Sequence, residues 1–213
     1  MTCAKRIPAE EDKSQTMKTI IASTIRNAGF EDAGAIYALI KEHPREVVPR
    51  AISDIVQNID RFLVCEVKGR IIGTAAWQIL PEIGKALNPS IEIKSVSISS
   101  HYQHKGIGSA LVKAVIQRIK RFHPAQIVVL TFTPEFFRQF GFNEVAKETL
   151  MYKLYMGCIN CTKYDSPFTC PEVAMTRNVK CQAPPERFAQ ASRMKNAETK
   201  KKERRKKNQE PSA

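Results

Sequence analysis

Residues 91–122, IEIKSVSISSHYQHKGIGSALVKAVIQRIKRF, predict a strand, a short polar loop with two glycines and a long amphipathic helix, in that order. Gly106 and Gly108 would allow the backbone to approach a bound group closely. The first N–H groups of the following helix have no acceptor within the helix, and the helix dipole adds positive potential at the same end. The stretch therefore predicts an anion site, and a phosphate-bearing cofactor is the first functional interpretation.

Two familiar phosphate loops do not fit these glycines. A P-loop needs Gly-Lys followed by Ser or Thr, and neither Gly106 nor Gly108 is followed in that way. A dinucleotide fingerprint places Gly or Ala at position 111, where this chain has Leu111, and it usually lies in a parallel βαβ unit. On spacing alone, a glycine-rich turn that merely joins the strand to the helix stays open.

The composition is that of a soluble globular protein. With 213 residues, 43% of them hydrophobic and 26% charged, the chain is long enough for one domain with tails. We expect a cytoplasmic protein without a membrane partner, because no segment is apolar enough to span a bilayer and the first residues lack the apolar run of a secretory signal. In such a chain the six cysteines are expected to be thiols or metal ligands rather than disulfides.

The net charge of +13 is partly concentrated at one end of the chain. Residues 184–213 hold ten Lys or Arg and four Asp or Glu, with few apolar side chains. Such a segment cannot bury a core, so we expect residues 181–213 to form a disordered, solvated basic tail. Weak attraction of this tail to nucleic acid or to an anionic membrane is the alternative.

Hydrophobic periodicity predicts the other elements. Strands are predicted at residues 18–25, 61–67, 71–80, 91–99 and 126–132, with a closing pair within 142–155. Helices are predicted at 31–42, 53–59, 106–122 and 134–140. The helical crossover makes strands 91–99 and 126–132 parallel, whereas the earlier strands are antiparallel. The prediction is an α+β fold with a mixed, mostly antiparallel sheet.

The run QHKGIG at residues 103–108 resembles the Q/R-x-x-G-x-G/A acetyl-CoA loop of the GNAT acetyltransferase superfamily, with a strand before it and a helix after it. The run PEFFRQFGF at residues 134–142 resembles the helix and Gly-Phe turn that follow the next strand there. This resemblance covers roughly residues 18–155. It implies an α/β/α sandwich of GNAT type, with the one parallel strand pair at the acetyl-CoA loop.

Four runs resemble the short, single-domain bacterial N-acetylglutamate synthases. They are PRAISDIVQNIDRFLV at 49–64, EIKSVSI at 92–98, LTFTPEFFRQFGF at 130–142 and GCINCTKYDSPFTCPEVAM at 157–175. The resemblance implies acetyl transfer from acetyl-CoA to the α-amine of an amino acid, most simply L-glutamate, at the start of arginine synthesis. Another amine, such as a different amino acid, a polyamine or a protein N-terminus, stays open. So does a non-catalytic, nucleic-acid-associated module that uses the tail.

The resemblance extends to about residue 175 and leaves the ends of the chain unexplained. We expect an extension at residues 1–17, an acetyltransferase domain at 18–180 that includes a cysteine-containing segment at 156–180, and the tail at 181–213. A homodimer is left open.

The resemblance implies how acetyl-CoA would bind. The pyrophosphate would lie on the backbone N–H groups of residues 104–109, and the pantetheine arm would run beside residues 96–98. The Val96 N–H would point at the thioester carbonyl as an oxyanion donor. The expected cofactor-binding residues are Ile98, Gln103, His104, Lys105, Gly106, Ile107, Gly108 and Ser109.

The strand before the loop is expected to supply the chemistry. Glu92 lies eleven residues before Gln103, a spacing that in several superfamily members gives a carboxylate general base; a structural ion pair is the alternative. Period-two geometry puts Glu92, Lys94 and Val96 on one face unless a bulge intervenes. Lys94 and Arg50 are expected to bind the carboxylates of a dicarboxylic substrate, although either could be an ordinary surface charge.

Two features depart from the expected patterns. Many superfamily members carry a Tyr as general acid where this chain has Phe137, so water, Tyr152 or Tyr155 would have to replace it. The other feature is a C-x-x-C pair without a second such pair after it, which is a weak zinc signal, and we expect no metal. The candidate ligands would be Cys158, Cys161, Cys170 and Cys181.

Overall fold

The structure is a computed structural model that describes residues 23–80, 89–159, 161 and 163–179. The strands are β1 (Thr24–Asn27), β2 (Phe62–Val67), β3 (Arg70–Leu80), β4 (Ser90–Ile98), β5 (Gln126–Thr131), β6 (Asn143–Glu144) and β7 (Val173–Asn178). The helices are α1 (Ala33–Lys41), α2 (Ile52–Gln57), α3 (Ile107–Lys120), α4 (Pro134–Arg138) and a single turn α5 (Met151–Lys153), which continues into a π-helical turn, Leu154–Cys158. Within the described residues, all strands form one sheet in the order β1-β2-β3-β4-β5-β7-β6.

The first four strands form an antiparallel meander. Lys68 and Gly69 connect β2 to β3 and both have positive φ, 49° and 75°. That is the geometry of a type I′ turn, whose twist matches the flanking strands. The crossover through α3 then places β5 parallel to β4.

Helices cover both faces of the sheet, as the alternation of side chains along β2 illustrates. Phe62 and Val64 pack with α1 and α2 on one face. Leu63 and Cys65 point to the other face and join the larger core beneath α3. The predicted α+β sandwich, with a mostly antiparallel sheet and one parallel pair, is confirmed.

The parallel pair between β4 and β5 is short. It includes only the three residues of β4 from Ser90 to Glu92, which lie opposite Gln126 to Val128. Beyond Glu92 the ladder with β5 ends, whereas β4 continues to pair with β3 as far as Ile98. The two strands therefore separate, and a gap opens between them in the middle of the sheet.

A β-bulge in β4 lies beside this gap. The register between β3 and β4 shifts between Thr74 and Ala76, and Ser95 has a φ of 54°. A bulge places an extra residue in one strand and bends it. The bend is consistent with β4 turning away from β5 at this point.

Two sequence-based element predictions are wrong. The first strand spans Thr24–Asn27 and so continues past the predicted end at residue 25; residues 18–22 lie outside the described part of the chain. The predicted strand pair at 142–155 contains only the two-residue strand β6, followed by helical turns. Leu150 and Leu154 are both buried four residues apart, a spacing that suits a helix rather than a strand.

The sheet is completed instead by β7, which inserts between β5 and β6 and pairs along the whole of β5. The expected extension at residues 1–17 and the basic tail at 181–213 lie outside the described residues. In the part of the chain that is described, no helix combines the length and apolar character needed to cross a membrane.

Candidate active site

The gap between β4 and β5 opens into a cleft of about 1420 Å³. One wall is the edge of β4 from residue 93 to 98, and the opposite wall is the end of β5 and the residues after it, 129–133. The glycine loop lies at one end of the cleft. A cluster of charged side chains lies at the other end.

The glycine loop turns sharply into α3. Gly106 caps the helix in the left-handed conformation, with φ 82° and ψ −3°, and its carbonyl accepts a hydrogen bond of 3.0 Å from the Ala110 N–H. A methyl group at Gly106 would meet no atom within 4 Å, so backbone conformation rather than space favours glycine there. At Gly108 the methyl group would lie 3.4 Å from the Phe136 ring.

The loop residues do not all face the cleft. Side chains or backbone of Gln103, His104, Gly106, Gly108 and Ser109 line it. Ile107 is buried in the core, so only its backbone is suited to the predicted contact.

Lys105 makes local contacts instead of lining the cleft. Its ammonium donates to the His101 carbonyl at 2.8 Å and lies 5.1 Å from the centroid of the Tyr102 ring. The predicted contact of Lys105 with a phosphate would require its side chain to leave this position.

His43 is a cleft residue that the sequence did not reveal. Its Nε2 donates to the Ile98 carbonyl at 2.7 Å, and the Gln103 amide donates to the same oxygen at 3.3 Å. The carbonyl at the open end of β4 is thus held by two side chains. No local motif marks His43, since it comes from the end of α1, fifty-five residues away in the chain.

The bulge in β4 breaks the side-chain alternation that was predicted for this strand. Because the extra residue falls at Ser95, strict alternation from Glu92 to Val96 is broken. Glu92, Lys94 and Val96 nevertheless all line the cleft.

Glu92 forms a buried ion pair at the point where β4 and β5 separate. Only 4% of the residue is exposed, and its Oε1 lies 2.7 Å from Lys153 Nζ. Lys153 comes from α5, which no spacing along the strand of Glu92 predicts. Burial opposes the charged form of Lys153, yet the adjacent Glu92 carboxylate outweighs it and the pKa of Lys153 is raised.

Arg50 and Lys94, the two predicted carboxylate-binding residues, both line this end of the cleft. Arg50 Nε donates to Ser95 Oγ at 2.6 Å, and its guanidinium pairs with Asp54. The Lys94 ammonium donates to the Gln78 side chain. Burial lowers the pKa of Lys94 to about 8, with a further contribution from the charge of Arg50.

Three cysteines also line this end of the cleft: Cys158, Cys161 and Cys170. Burial raises the pKa of the Cys158 and Cys170 thiols, and Cys170 Sγ donates to Glu172 at 3.7 Å. Burial raises the pKa of Glu172 as well. Among the described residues no group of side chains could hold a metal ion, and Cys181 lies outside them.

The tyrosines expected to replace the missing general acid lie elsewhere. Tyr152 and Tyr155 are 37% and 63% exposed, and neither lines the cleft. Phe137 does line it, on the same face as α3. Tyr102 and Tyr164 also line the cleft, although no sequence motif selects either of them.

Comparison with known proteins agrees with this geometry. Residues 58–144, which include the bulge, the glycine loop and α3, match the acetyltransferase (GNAT) domain family. The GNAT resemblance predicted from the loop motif is confirmed over these residues.

Two relatives in sequence bear related names. An uncharacterized N-acetyltransferase of Chlorobaculum tepidum is 29% identical over 157 residues, which are 73% of this chain and 96% of that protein. An amino-acid acetyltransferase of Aeromonas salmonicida is 33% identical over 132 residues, which are 61% of this chain. The match spans only 29% of the Aeromonas protein, so it concerns one part of a longer chain.

A solved structure has the same fold around the GNAT domain. The N-acetylglutamate synthase of Neisseria gonorrhoeae, complexed with coenzyme A and N-acetyl-glutamate, has a TM-score of 0.59 at 21% identity. The similarity covers 73% of this chain and 35% of that one.

Proposed function

We propose that the protein transfers the acetyl group of acetyl-CoA to the α-amine of an amino acid, with L-glutamate as the preferred acceptor. The observation that carries the proposal is the cleft itself. The N-terminus of α3 lies at one end of this cleft, and a cluster of cations with a carboxylate lies at the opposite end. A thioester bound between the two ends would meet the acceptor beside Glu92.

The co-substrate would bind at the glycine-loop end. Backbone N–H groups in the first turn of α3 suit the pyrophosphate, since they have no acceptors within the helix. Beyond Glu92, no strand among the described residues pairs with β4 on the β5 side, and this free edge suits an extended pantetheine arm. In this arrangement Val96, which follows the bulge residue Ser95, would direct its N–H to the thioester oxygen.

The reaction needs a group that accepts a proton from the substrate's ammonium before the amine can attack. Glu92 takes a proton from the acceptor's ammonium, and the amine then bonds to the thioester carbon. Negative charge on the oxygen is stabilised by the Val96 N–H. The carbon–sulfur bond breaks, the nitrogen gives its second proton to water, and water protonates the departing thiolate of coenzyme A. Glu92 then releases the first proton to solvent, so that one proton is set free for each acetyl group transferred.

The choice of glutamate is supported by charge and by the relatives. Arg50 and Lys94 offer two cations at the acceptor end, and a dicarboxylic amino acid has two carboxylates for them. The Aeromonas relative is named an amino-acid acetyltransferase, and the Neisseria neighbour an N-acetylglutamate synthase. The product would then enter arginine synthesis, and a cytoplasmic location stays a prediction of the sequence.

A substrate screen at fixed acetyl-CoA concentration tests the proposal directly. Free-thiol release is measured with L-glutamate, L-glutamine, L-aspartate, a polyamine and a peptide N-terminus. We expect turnover with glutamate to exceed that with every other amine. Activity spread evenly over the panel, or absent from it, would overturn the assignment.

The cap residue of α3 gives a prediction about co-substrate binding. Gly106→Ala and Gly69→Ala both put a side chain at positive φ in open space, so each should cost about 1–2 kcal/mol of stability. Only the Gly106 change distorts the loop at the cleft. It should also weaken acetyl-CoA binding about tenfold, the equivalent of one charge-assisted hydrogen bond. Urea unfolding and calorimetric titration separate the two effects, and equal affinities in the two variants would contradict the loop assignment.

Lys94 gives a pH prediction. Because its pKa is lowered to about 8, the free protein loses this ammonium as the pH rises through 8. Affinity for N-acetyl-L-glutamate, which has no titrating amine, should fall about tenfold between pH 7 and pH 9. Lys94→Arg keeps its charge across that range and should bind with little pH dependence. Calorimetry at matched ionic strength is the measurement, and the same fall in both proteins would exclude Lys94 as the cause.

A further inference from the structure

The Glu92–Lys153 ion pair is the most deeply buried charge pair at the acceptor end of the cleft. The two side chains are 6% and 13% exposed, and Lys153 Nζ contacts Oε1 of the carboxylate. Two charges removed from water are retained at a cost unless their geometry is good. An ion pair buried this deeply, at the point where β4 and β5 separate, indicates a role beyond linking α5 to β4.

Other titratable groups face Glu92 from every side. Lys94 lies on the same strand, Cys158 on the π-helical turn, and Glu172 just before β7. Glu172 and Cys158 would each carry the same sign as Glu92 if ionised, so neither favours a second negative charge nearby. Lys94 has the Gln78 side chain as its hydrogen-bond acceptor. Lys153 is the cation in direct contact with the Glu92 carboxylate.

We propose that Lys153 is a positioning residue that keeps Glu92 ionised and fixes the orientation of its carboxylate for proton transfer. Lys153 holds Oε1, so the second oxygen is the one that accepts the proton from the acceptor's ammonium. This inference rests on the proposed function, because it assigns to Lys153 a role through Glu92. Lys153 itself exchanges no proton with the substrate.

The physical reason is the cost of a buried carboxylate without a counter-ion. Burial favours the neutral acid, and an adjacent ammonium reverses that preference. A protonated Glu92 could not accept a proton, so the enzyme would be inactive below the pH at which the carboxylate forms. Lys153 extends the active range to lower pH. The ion pair is thus part of the catalytic apparatus in this interpretation and not only a link between α5 and the sheet.

The test compares the pH dependence of kcat/KM in the full-length wild type and in Lys153→Gln, which can still donate a hydrogen bond but has no charge. We expect the acid limb of the profile to move to higher pH by about one unit or more, with partial recovery of activity at alkaline pH. Lys153→Arg should restore the limb. Lys153→Met serves as the neutral variant if the Gln variant does not fold.

Lys147→Met is the matched control. Lys147 belongs to the helical turn just before α5 and donates to the carbonyls of Pro167 and Cys170, not to Glu92. Its replacement should leave the acid limb in place. An unchanged limb in Lys153→Gln, or an equal displacement in the control, would show that Lys153 is merely structural.

A measurement without turnover separates this inference from the proposed function. The carboxyl carbon of Glu92, assigned by its absence in Glu92→Gln, is followed by NMR over the same pH range in the free protein. Its protonation should move to higher pH in Lys153→Gln. If it does so while no amino acid is acetylated, the ion-pair inference holds and the proposed function fails; if glutamate is acetylated and the signal does not move, the reverse is true.

Discussion

Replacing Glu92 with Gln is expected to lower kcat for the acetylation of glutamate about 10²- to 10⁴-fold, with little change in the affinity for coenzyme A. The amide has the same shape as the carboxylate but cannot accept a proton. Glu92 lies at the acceptor end of the cleft, while the glycine loop lies at the other end, so co-substrate binding should be spared. Steady-state kinetics and calorimetry with coenzyme A measure the two quantities.

A matched control for this change exists in the same cleft. Glu172 is also a cleft carboxyl, but burial raises its pKa and favours the neutral form that Gln imitates. Glu172→Gln should therefore change kcat by less than about tenfold, well below the range expected of a general base. In Glu92→Gln, activity should recover in part at alkaline pH, where the acceptor amine loses its proton to solvent. Full turnover by Glu92→Gln at every pH would show that the general-base assignment is wrong.

Replacing Arg50 with Met is expected to raise the KM for glutamate about 10- to 150-fold, the effect of losing a hydrogen bond to a charged group worth about 1.5–3 kcal/mol. Ser95 and Asp54 hold the guanidinium in place, so little entropy is lost when it binds a carboxylate. Arg50→Lys should have an intermediate effect, because it keeps the charge but loses the planar fork.

The control for Arg50 is Arg138 of α4, which does not line the cleft. Its guanidinium is exposed and pairs with Glu135 and Glu144. Arg138→Met should leave KM unchanged. Comparing glutamate with glutamine then locates the bound group, since a loss shared by both substrates indicates the α-carboxylate and a loss confined to glutamate indicates the side chain. An unaltered KM for glutamate in Arg50→Met would remove Arg50 from the acceptor site.

Local sequence patterns were sufficient for much of the fold. The apolar stripe of α3 begins directly after the glycine loop, and its apolar side chains are buried: Leu111, Val112, Val115, Ile116 and Ile119. Gly69, which suits positive φ, lies between the strands predicted at 61–67 and 71–80, and the structure has a tight hairpin turn there. In both cases the signal and the structure lie within a few residues of each other.

The predictions that failed depend on contacts between distant segments. The apolar residues between 142 and 155 have strand-like composition, yet Leu150 and Leu154 find their burial on one side of a helical turn. Residues 173–178 occupy the place in the sheet that this segment was expected to fill. A short apolar run does not by itself distinguish a strand from a helix, and the segments that it packs against determine which of the two forms.

The site shows the same division. The loop motif and the spacing of Glu92 marked the cleft residues of one continuous stretch. His43 and Lys153 come from parts of the chain far from that stretch. The bulge at Ser95 is not predicted by any residue type in the sequence. Only the assembled sheet brings these features together.

The position of β7 has a consequence for the order in which the protein folds. β5 forms one wall of the cleft, but only three of its residues pair with β4, and its full ladder is with β7. During synthesis the segment that becomes β5 emerges well before residues 173–178. Until those residues are available, β5 has only its short ladder with β4 to hold it in the sheet. Closing a loop of this length is slow compared with forming a hairpin. We therefore expect the half of the molecule that carries the glycine loop and β4 to assemble first, and the β5 wall of the cleft to form late in folding.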